Sequence, residues 1–307
     1  MSPYDGTKQT ISYLMRRFAD AGIRPGSRHG QNFLIDLNLQ RLIVDRAQIG
    51  SADVVLEVGT GTGSLTALMA PRAGAVLTVE IDSRLFQLAG EELHAAANVV
   101  MLNVDALAGK HHLNPRLIAA VEELLAADSH RQLKLVANLP YSVATPLIAN
   151  LLLSPILPSS MTVTVQKEVA DRITARAGSK DYGALSVWIQ SQCAVELVRT
   201  LPPSVFWPRP QVTSAVIHLE IDHPRRAALG DLAFFHDFVR SLFFHRRKFL
   251  RSVLASALKG QADKTAVDAI LLHAALAPDC RAEQLEIPQI LTLCHSVRAG
   301  LAQESIS

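Results

Sequence analysis

The sequence predicts an α/β protein: a mostly parallel sheet flanked by helices, followed by a small all-α domain. Three observations carry this. Up to about Ile221, short apolar runs that read as strands alternate with segments of helical spacing. A glycine cluster, Gly59-Thr60-Gly61-Thr62-Gly63, joins an early strand to a helix. From Leu232 to Leu301 the periodicity is helical, with no convincing strand. The polar stretch Asp222-His223-Pro224-Arg225-Arg226, running to Gly230-Asp231, separates the two parts. Domains are therefore expected at 1–222, including an N-terminal basic extension, and at 223–307.

That extension carries Lys8, Arg16, Arg17, Arg24 and Arg28. It also holds Asp5 and Asp20 and lacks an apolar core, so it does not read as a secretory signal. Asp53-Val54-Val55-Leu56 is the first clear strand, and Ser64 to Met69 the helix after the glycine turn. Glycines there let backbone approach a ligand, and the helix start offers unpaired N–H groups. The competing reading is a tight turn without a ligand. A dinucleotide-binding turn wants G-x-G-x-x-G, but here Ser64 takes the last position and Gly63 comes one residue early. That spacing, with no convincing hydride-transfer site, disfavours a nicotinamide dehydrogenase.

Ala75 to Glu80 is a second strand ending in a carboxylate. Open α/β sheets bind ligands at the carboxyl ends of their strands, so Glu80 stands where it can accept from two ribose hydroxyls. Asp82 is the fallback and reads as the N-cap of a helix from Ser83 to His94. A third strand, Asn98 to Leu102, ends near Asp105. Asp105 is placed to accept from an adenine amine, or is a solvated loop acid. Leu117, Ile118, Val121, Leu124 and Leu125 then have the spacing of a surface helix. His111, His112 and His130 around it have no carboxylate at ligand spacing and are read as surface residues. No metal site is expected.

The apolar run Leu133 to Ala137 reads as a buried strand, and it ends in Asn138-Leu139-Pro140-Tyr141. This pattern suits holding an exocyclic amine while its nitrogen attacks an electrophile. The N6 amine of adenine is a poor nucleophile because its lone pair is delocalised into the ring. Two acceptors, the Asn138 side-chain oxygen and the Leu139 carbonyl, would localise that pair. Pro140 biases Leu139 toward extended backbone, and Tyr141 offers a flat face for an extruded base. The plainer alternative is a strand-to-helix turn with Pro near the first helical position. Cys193 to Leu201 and Ser214 to Ile221 close the strand series.

Composition agrees with a folded, two-part protein. A chain of 307 residues with 49% hydrophobic content can bury such a core. No run approaches the ~18 apolar residues that suggest a membrane span. Cys193, Cys280 and Cys294 show no metal spacing, which fits a reduced cytoplasmic protein. The net charge is only +2, but charge is distributed unevenly. Between Phe238 and Ala262 lie Arg240, Arg246, Arg247, Lys248, Arg251 and Lys259 with no acid among them, interleaved with Phe243, Phe244 and Phe249. This reads as a helix with its aromatic face inward and its basic face along phosphates, or as an ordinary solvated face.

The ordered set Glu57-x-Gly-x-Gly-x-Gly, Glu80, Asp105 and Asn138-Leu-Pro-Tyr141 resembles S-adenosylmethionine-dependent N6-adenine methyltransferases. Further segments sharpen the resemblance to the small-subunit ribosomal RNA adenine dimethyltransferase family. They are Gly30-Gln31-Asn32-Phe33-Leu34, Gln166-Lys167-Glu168-Val169, Tyr182-Gly183-Ala184-Leu185-Ser186-Val187, Phe206 to Val216 and Arg246-Arg247-Lys248. The resemblance runs from about Arg28 to Ser296. It implies a Rossmann-like class I methyltransferase domain with a small helical RNA-binding domain. It also implies that Asn32, Leu34, Gly59, Glu80, Asp105 and Asn138 touch S-adenosylmethionine, with Gly61 of the same turn. Asn138, Leu139, Tyr141 and Phe206 would form the catalytic set, the target adenine lying between Tyr141 and Phe206. Arg246, Arg247 and Lys248 would contact RNA. The implied substrate is two adjacent adenines near the 3′ end of small-subunit rRNA, in an immature subunit, modified by a monomer. His29 departs from the aromatic or aliphatic residue expected before Gly30-Gln31, and the segment between Asp105 and Asn138 is longer than the family pattern. A large-subunit methyltransferase of the macrolide-resistance type shares the Asn-x-Pro-aromatic core, and a non-catalytic assembly or transcription factor could share the fold.

Overall fold

The computed structural model describes residues 11–23, 32–110, 112–245 and 248–304. It divides into two compact units: one runs to Ala170 and resumes over Val195–Ile221, the other comprises Asp171–Ala194 and the chain from Asp222 on.

The first unit begins with α1 (Ile11–Asp20), β1 (Phe33–Leu34) and α2 (Leu37–Arg46). It continues through β2 (Asp53–Val58), α3 (Ser64–Met69), β3 (Ala75–Val79), α4 (Ser83–Leu93) and β4 (Val99–Leu102). Then come α5 (Pro115–Ala126), β5 (Gln132–Asn138), α6 (Tyr141–Leu151), β6 (Ser160–Gln166) and α7 (Lys167–Thr174). After α8 (Ala184–Gln190) the chain forms β7 (Cys193–Leu201), β8 (Phe206–Trp207) and β9 (Ser214–Ile221). Seven strands form one sheet in the order β4-β3-β2-β5-β6-β9-β7, while β1 and β8 pair separately. The first five sheet strands run parallel, and β9 joins β6 antiparallel.

Strand position explains strand sequence. The inner strands β2 and β3 are buried at every residue, as expected when helices cover both faces. Edge strand β4 is only half-buried and carries the exposed Val100. Helix starts follow side-chain chemistry. The carboxylates of Asp36 and Asp82 accept from backbone N–H groups of the first turns of α2 and α4, and Asn114 with Pro115 opens α5. Asp82 is thus the N-cap that its position in the sequence suggests.

A second cluster lies beside the sheet. Phe18 of α1 meets Phe33 of β1 edge-on at 5.0 Å and lies 5.5 Å from Trp207 of β8. Ile23, Leu85 and Leu88 complete it. Helix α1 therefore has a defined anchor, which the basic residues of the N-terminal extension do not reveal. Arg17 pairs with Glu91; Arg24 and Arg28 lie outside the described residues.

The second unit adds α9 (His223–Ala228), α10 (Leu232–Leu242), α11 (Leu250–Ala257), α12 (Lys264–His273) and α13 (Ile287–Glu304). The sequence reading draws a single break at 222/223, whereas this unit also takes residues 171–194. Aromatic packing explains why. Trp188 of α8 lies 4.8 Å from His236 and 6.3 Å from Phe235, and Tyr182 packs edge-on against Phe243 at 5.9 Å while its hydroxyl donates to the Leu285 carbonyl.

The expected basic helix over Phe238 to Ala262 is not one helix. Phe235, Phe238, Val239 and Leu242 form the buried stripe of α10. One more turn would put His245 or Arg246 on that stripe. The chain turns instead, and burial resumes with Leu250, Val253 and Leu254 of α11. Phe243 is buried, but Phe244 and Phe249 are exposed. Nor is the run free of acids in space. Arg251 makes a two-pronged ion pair with Asp268 of α12, at 2.5 and 2.7 Å. Among the described residues no helix is long and apolar enough to cross a membrane.

If Phe18 is the anchor of α1, Phe18→Ala should cost about 3–5 kcal/mol of stability. Urea denaturation checks this; an unchanged midpoint would mean that α1 contributes nothing to the first unit.

Candidate functional site

The sheet order places a switch point between β2 and β5, where the connections leave in opposite directions. The chain leaves β2 into the glycine turn and β5 into Leu139-Pro140, so both loops rise side by side from the carboxyl edge. They touch. A side chain on Gly59, whose φ is +87°, would come within 3.2 Å of the Pro140 ring. Gly61 and Gly63 also have left-handed backbone, and a Cβ on Gly61 would press on the Phe33 ring at 3.2 Å. Only glycine fits such positions without strain.

Beneath the turn, Glu57 is 1% exposed and accepts hydrogen bonds from the hydroxyls of Thr66 and Thr78. Thr78 in turn meets Thr60 of the turn at 2.6 Å. Burial drives the Glu57 carboxyl up to about 8, outweighing the two threonine hydrogen bonds. Glu80 is also buried. One of its oxygens accepts from the Gly61 N–H and the other from the Asp82 N–H, both at 3.0 Å. Burial raises its pKa, and these backbone bonds partly oppose the rise. Glu80 thus ties the glycine turn to the end of β3 and keeps further lone pairs for a ligand.

These parts enclose a cavity of about 200 Å³. Asn32, Gly59, Gly61, Glu80, Asp105, Asn138, Leu139 and Tyr141 all line it, so eight of the expected site residues converge. Phe33, Leu85 and Ile81 supply apolar walls. Leu34 lines instead a smaller neighbouring cavity of about 40 Å³, which shares Phe33, Gly59, Gly61 and Asn138 with the first. The Leu34 carbonyl accepts from Gln40 Nε2 at 2.6 Å. The other end of that amide, Gln40 Oε1, is buried without a hydrogen-bond partner among the described residues. Gln40 and Glu57 both line the smaller cavity, giving it acceptor character suited to an ammonium group.

Asn138 has a fixed orientation. Its Nδ2 donates to the Asn32 carbonyl at 2.9 Å, which leaves the acceptor oxygen as the lobe available to the cavity. Tyr141 begins α6 after Pro140, whose φ is −57° and ψ 132°. The phenol reaches across β6 to Ser214 of β9, O to O 2.7 Å. That bond holds the ring, and burial raises the phenol pKa.

One expected member is elsewhere. Phe206 is 2% exposed and packs in the sheet core with Leu34, Val136 and Val216, so it does not line the cavity. Its pairing opposite Leu34 in the β1–β8 ladder turns it inward. The segment Phe206 to Val216 reaches the site through Ser214 instead. Nothing local in the sequence marks Ser214, Gln40 or Leu85, because each contributes through a tertiary contact. Of the RNA-contact group, Arg246 and Arg247 lie outside the described residues; Lys248 is exposed. Among the described residues no three His, Cys, Asp or Glu side chains are placed to hold a metal ion.

With this geometry in view, similarity to known proteins is informative. The family model for ribosomal RNA adenine dimethylases matches residues 24–294. Ribosomal RNA small subunit methyltransferase A of Halothermothrix orenii is 38% identical over 277 residues, 90% of this chain and 89% of its own. The protein of that name in Lactiplantibacillus plantarum is 40% identical over 273 residues, covering 89% and 90%. A solved dimethyladenosine transferase from Plasmodium falciparum superposes with a TM-score of 0.71 at 24% identity, over 86% of this chain and 97% of that one. The 23S rRNA methyltransferase ErmE gives 0.62 at 24% identity, over 87% and 100%. These two likenesses establish the class I methyltransferase fold.

The Glu57 network generates a pH prediction. The folded chain keeps this proton up to about pH 8, whereas the unfolded carboxyl loses it near 4.5. Between those values the unfolded state binds fewer protons, so stability falls as pH rises, then levels off. The slope from this group is roughly 1.4 kcal/mol per pH unit. Glu57→Gln should remove that slope in denaturation series from pH 5 to 8; parallel curves for both proteins would contradict a buried, protonated Glu57.

Proposed function

The chain belongs to the ribosomal RNA adenine dimethylase family, and on that premise we propose that it transfers methyl groups from S-adenosylmethionine to the N6 amine of adenines in small-subunit ribosomal RNA. The observation that carries the reading is the alignment of Asn138, Leu139 and Tyr141 on the same cavity as the glycine turn and Glu80. The curated relatives' small-subunit names favour this target over the large subunit.

The lining of the two adjoining cavities supports this cofactor. Glu80 and Asp105 line the larger one, with acceptors for ribose hydroxyls and for an adenine amine. The partnerless Gln40 oxygen and Glu57 line the smaller one, where an amino-acid end carrying an ammonium would be received. When bound, S-adenosylmethionine supplies an electrophilic methyl on a sulfonium whose departure leaves a neutral thioether.

The protein's own work is then alignment and electrostatics. The Asn138 oxygen and the Leu139 carbonyl accept from the amine hydrogens, which turns the nitrogen lone pair toward the methyl. Asn138 is held for this task by its bond to Asn32, and Pro140 fixes the backbone beside it. Tyr141 provides the stacking face, steadied by Ser214. With Phe206 in the core, the opposite face of the base is left to other groups. A proton is lost from the nitrogen after transfer, and solvent suffices to take it. A second round on the same amine gives dimethyladenosine. We place the reaction in the cytoplasm, on two adjacent adenines near the 3′ end of the rRNA within an immature subunit. The enzyme acts as a monomer, with Arg246, Arg247 and Lys248 on RNA phosphates.

Asn138→Ala tests the clamp. It should lower turnover at saturating cofactor by ~10²–10³, the loss typical of one preorganised polar group at a reacting centre. Tyr141→Phe, which keeps the ring but frees it from Ser214, should lose less than Tyr141→Ala. Single-turnover rates at saturating cofactor read both; near wild-type rates for Asn138→Ala would remove it from the mechanism.

A further inference from the structure

The turn between α10 and α11 presents an arrangement that methyl transfer does not use. Phe243 is buried against Tyr182 and anchors the turn. The next residue, Phe244, is 79% exposed, with its ring edge-on to His245 at 4.8 Å. It borders an open groove of about 470 Å³ between the two helices, with Val253 and Ala257 on one side and Arg240 on the other. Phe249, at the start of α11, is 51% exposed and has the Arg281 guanidinium 5.8 Å from its ring centre. Between these rings the sequence carries Arg246, Arg247 and Lys248.

Single exposed apolar residues are ordinary. Two phenylalanines flanking three consecutive cations are not explained by packing, because their neighbours Phe243 and Leu250 already fill the core. Among the described residues Asp237 is the one acid lining the groove, and it is shared between His236 at 3.4 Å and Arg240 at 4.0 Å. On the same turn the exposed Lys248 and the Arg281 guanidinium over Phe249 have no ion pair among the described residues, which favours an anionic partner.

We propose that Phe244 is a stacking platform for an unpaired base of the RNA substrate, with the exposed Lys248 taking an adjoining phosphate. The proposal rests on the reading that this enzyme acts on RNA, and it adds a contact that is blind to charge. A flat ring accepts any base by its π-face, and exposed aromatics among cations are the common device for holding single strands. The turn would then serve as two separable parts, cations for attraction and Phe244 for grip. Phe249, backed by Arg281, offers a second ring on the same turn.

The test uses the full chain and a fluorescently labelled single-stranded RNA oligonucleotide, titrated over a salt series, beside a duplex of the same sequence. Phe244→Ala and Phe244→Leu should each weaken single-strand binding roughly 5- to 100-fold while leaving the slope of log affinity against log salt unchanged. Phe244→Trp should retain affinity, and its added fluorescence should be quenched on binding. Duplex binding should respond much less. Lys248→Ala, in contrast, should reduce the salt slope by about 0.7. S-adenosylmethionine affinity, measured by calorimetry, verifies that each variant is folded. Wild-type affinity in Phe244→Ala, or in Phe244→Leu alone, would overturn stacking. So would loss of concentration-dependent self-association with RNA binding intact, which would assign the surface to a second copy of the chain. No RNA binding by the wild-type protein would instead refute the functional reading itself.

Discussion

The site depends on one steric constraint: two loops leaving neighbouring parallel strands must come into van der Waals contact. The glycine turn after β2 and the proline after β5 approach so closely that a Cβ on Gly59, already strained by its φ of +87°, would lie 3.2 Å from the Pro140 ring. Because they touch, the proposed nucleoside site on one loop and the proposed amine clamp on the other share a single cavity of about 200 Å³. On that proposal, this contact governs how near a methyl donor and its acceptor come. The sheet supplies the rigidity, since β2 and β5 are adjacent, parallel and buried.

Each element of the proposed site is held by something outside itself. Glu80 pins the glycine turn through Gly61, Asn32 orients the Asn138 amide, and Ser214 holds the Tyr141 hydroxyl. Two buried carboxyls stand around the turn, and the deeper one, Glu57, keeps its proton to about pH 8. A neutral Glu57 can satisfy the threonines without an uncompensated charge in the core. The arrangement trades some stability at alkaline pH for a polar network beneath a turn that would otherwise rest on apolar side chains.

Much of this was legible from residue order. Strand ends predict ligand contacts in parallel sheets, so Glu80, Asp105 and Asn138 could be placed from the apolar runs before them. Aspartates preceding helical periodicity likewise gave Asp82 as a cap. Legibility ended where a role depends on distant partners. Phe206 is an aromatic in a segment that resembles a base-binding motif, yet its ladder partner Leu34 directs it into the core. The run from Arg240 to Lys259 shows no acid in sequence, but folding brings Asp268 to Arg251. Residues 171–194 look like part of the α/β alternation, and only the packing of Trp188 and Tyr182 assigns them to the helical unit.

Class I methyltransferases act on many substrates, and the fold alone does not choose among them. Family membership points to an adenine of ribosomal RNA, and the proposed amine clamp suits its N6 amine. The most direct measurement is transfer of labelled methyl from S-adenosylmethionine to isolated ribosomal subunits lacking the modification, with digestion and mapping of the product. The account predicts N6,N6-dimethyladenosine in small-subunit RNA and none in large-subunit RNA. Label on large-subunit RNA, on a base other than adenine, or on neither RNA while the cofactor still binds would contradict it.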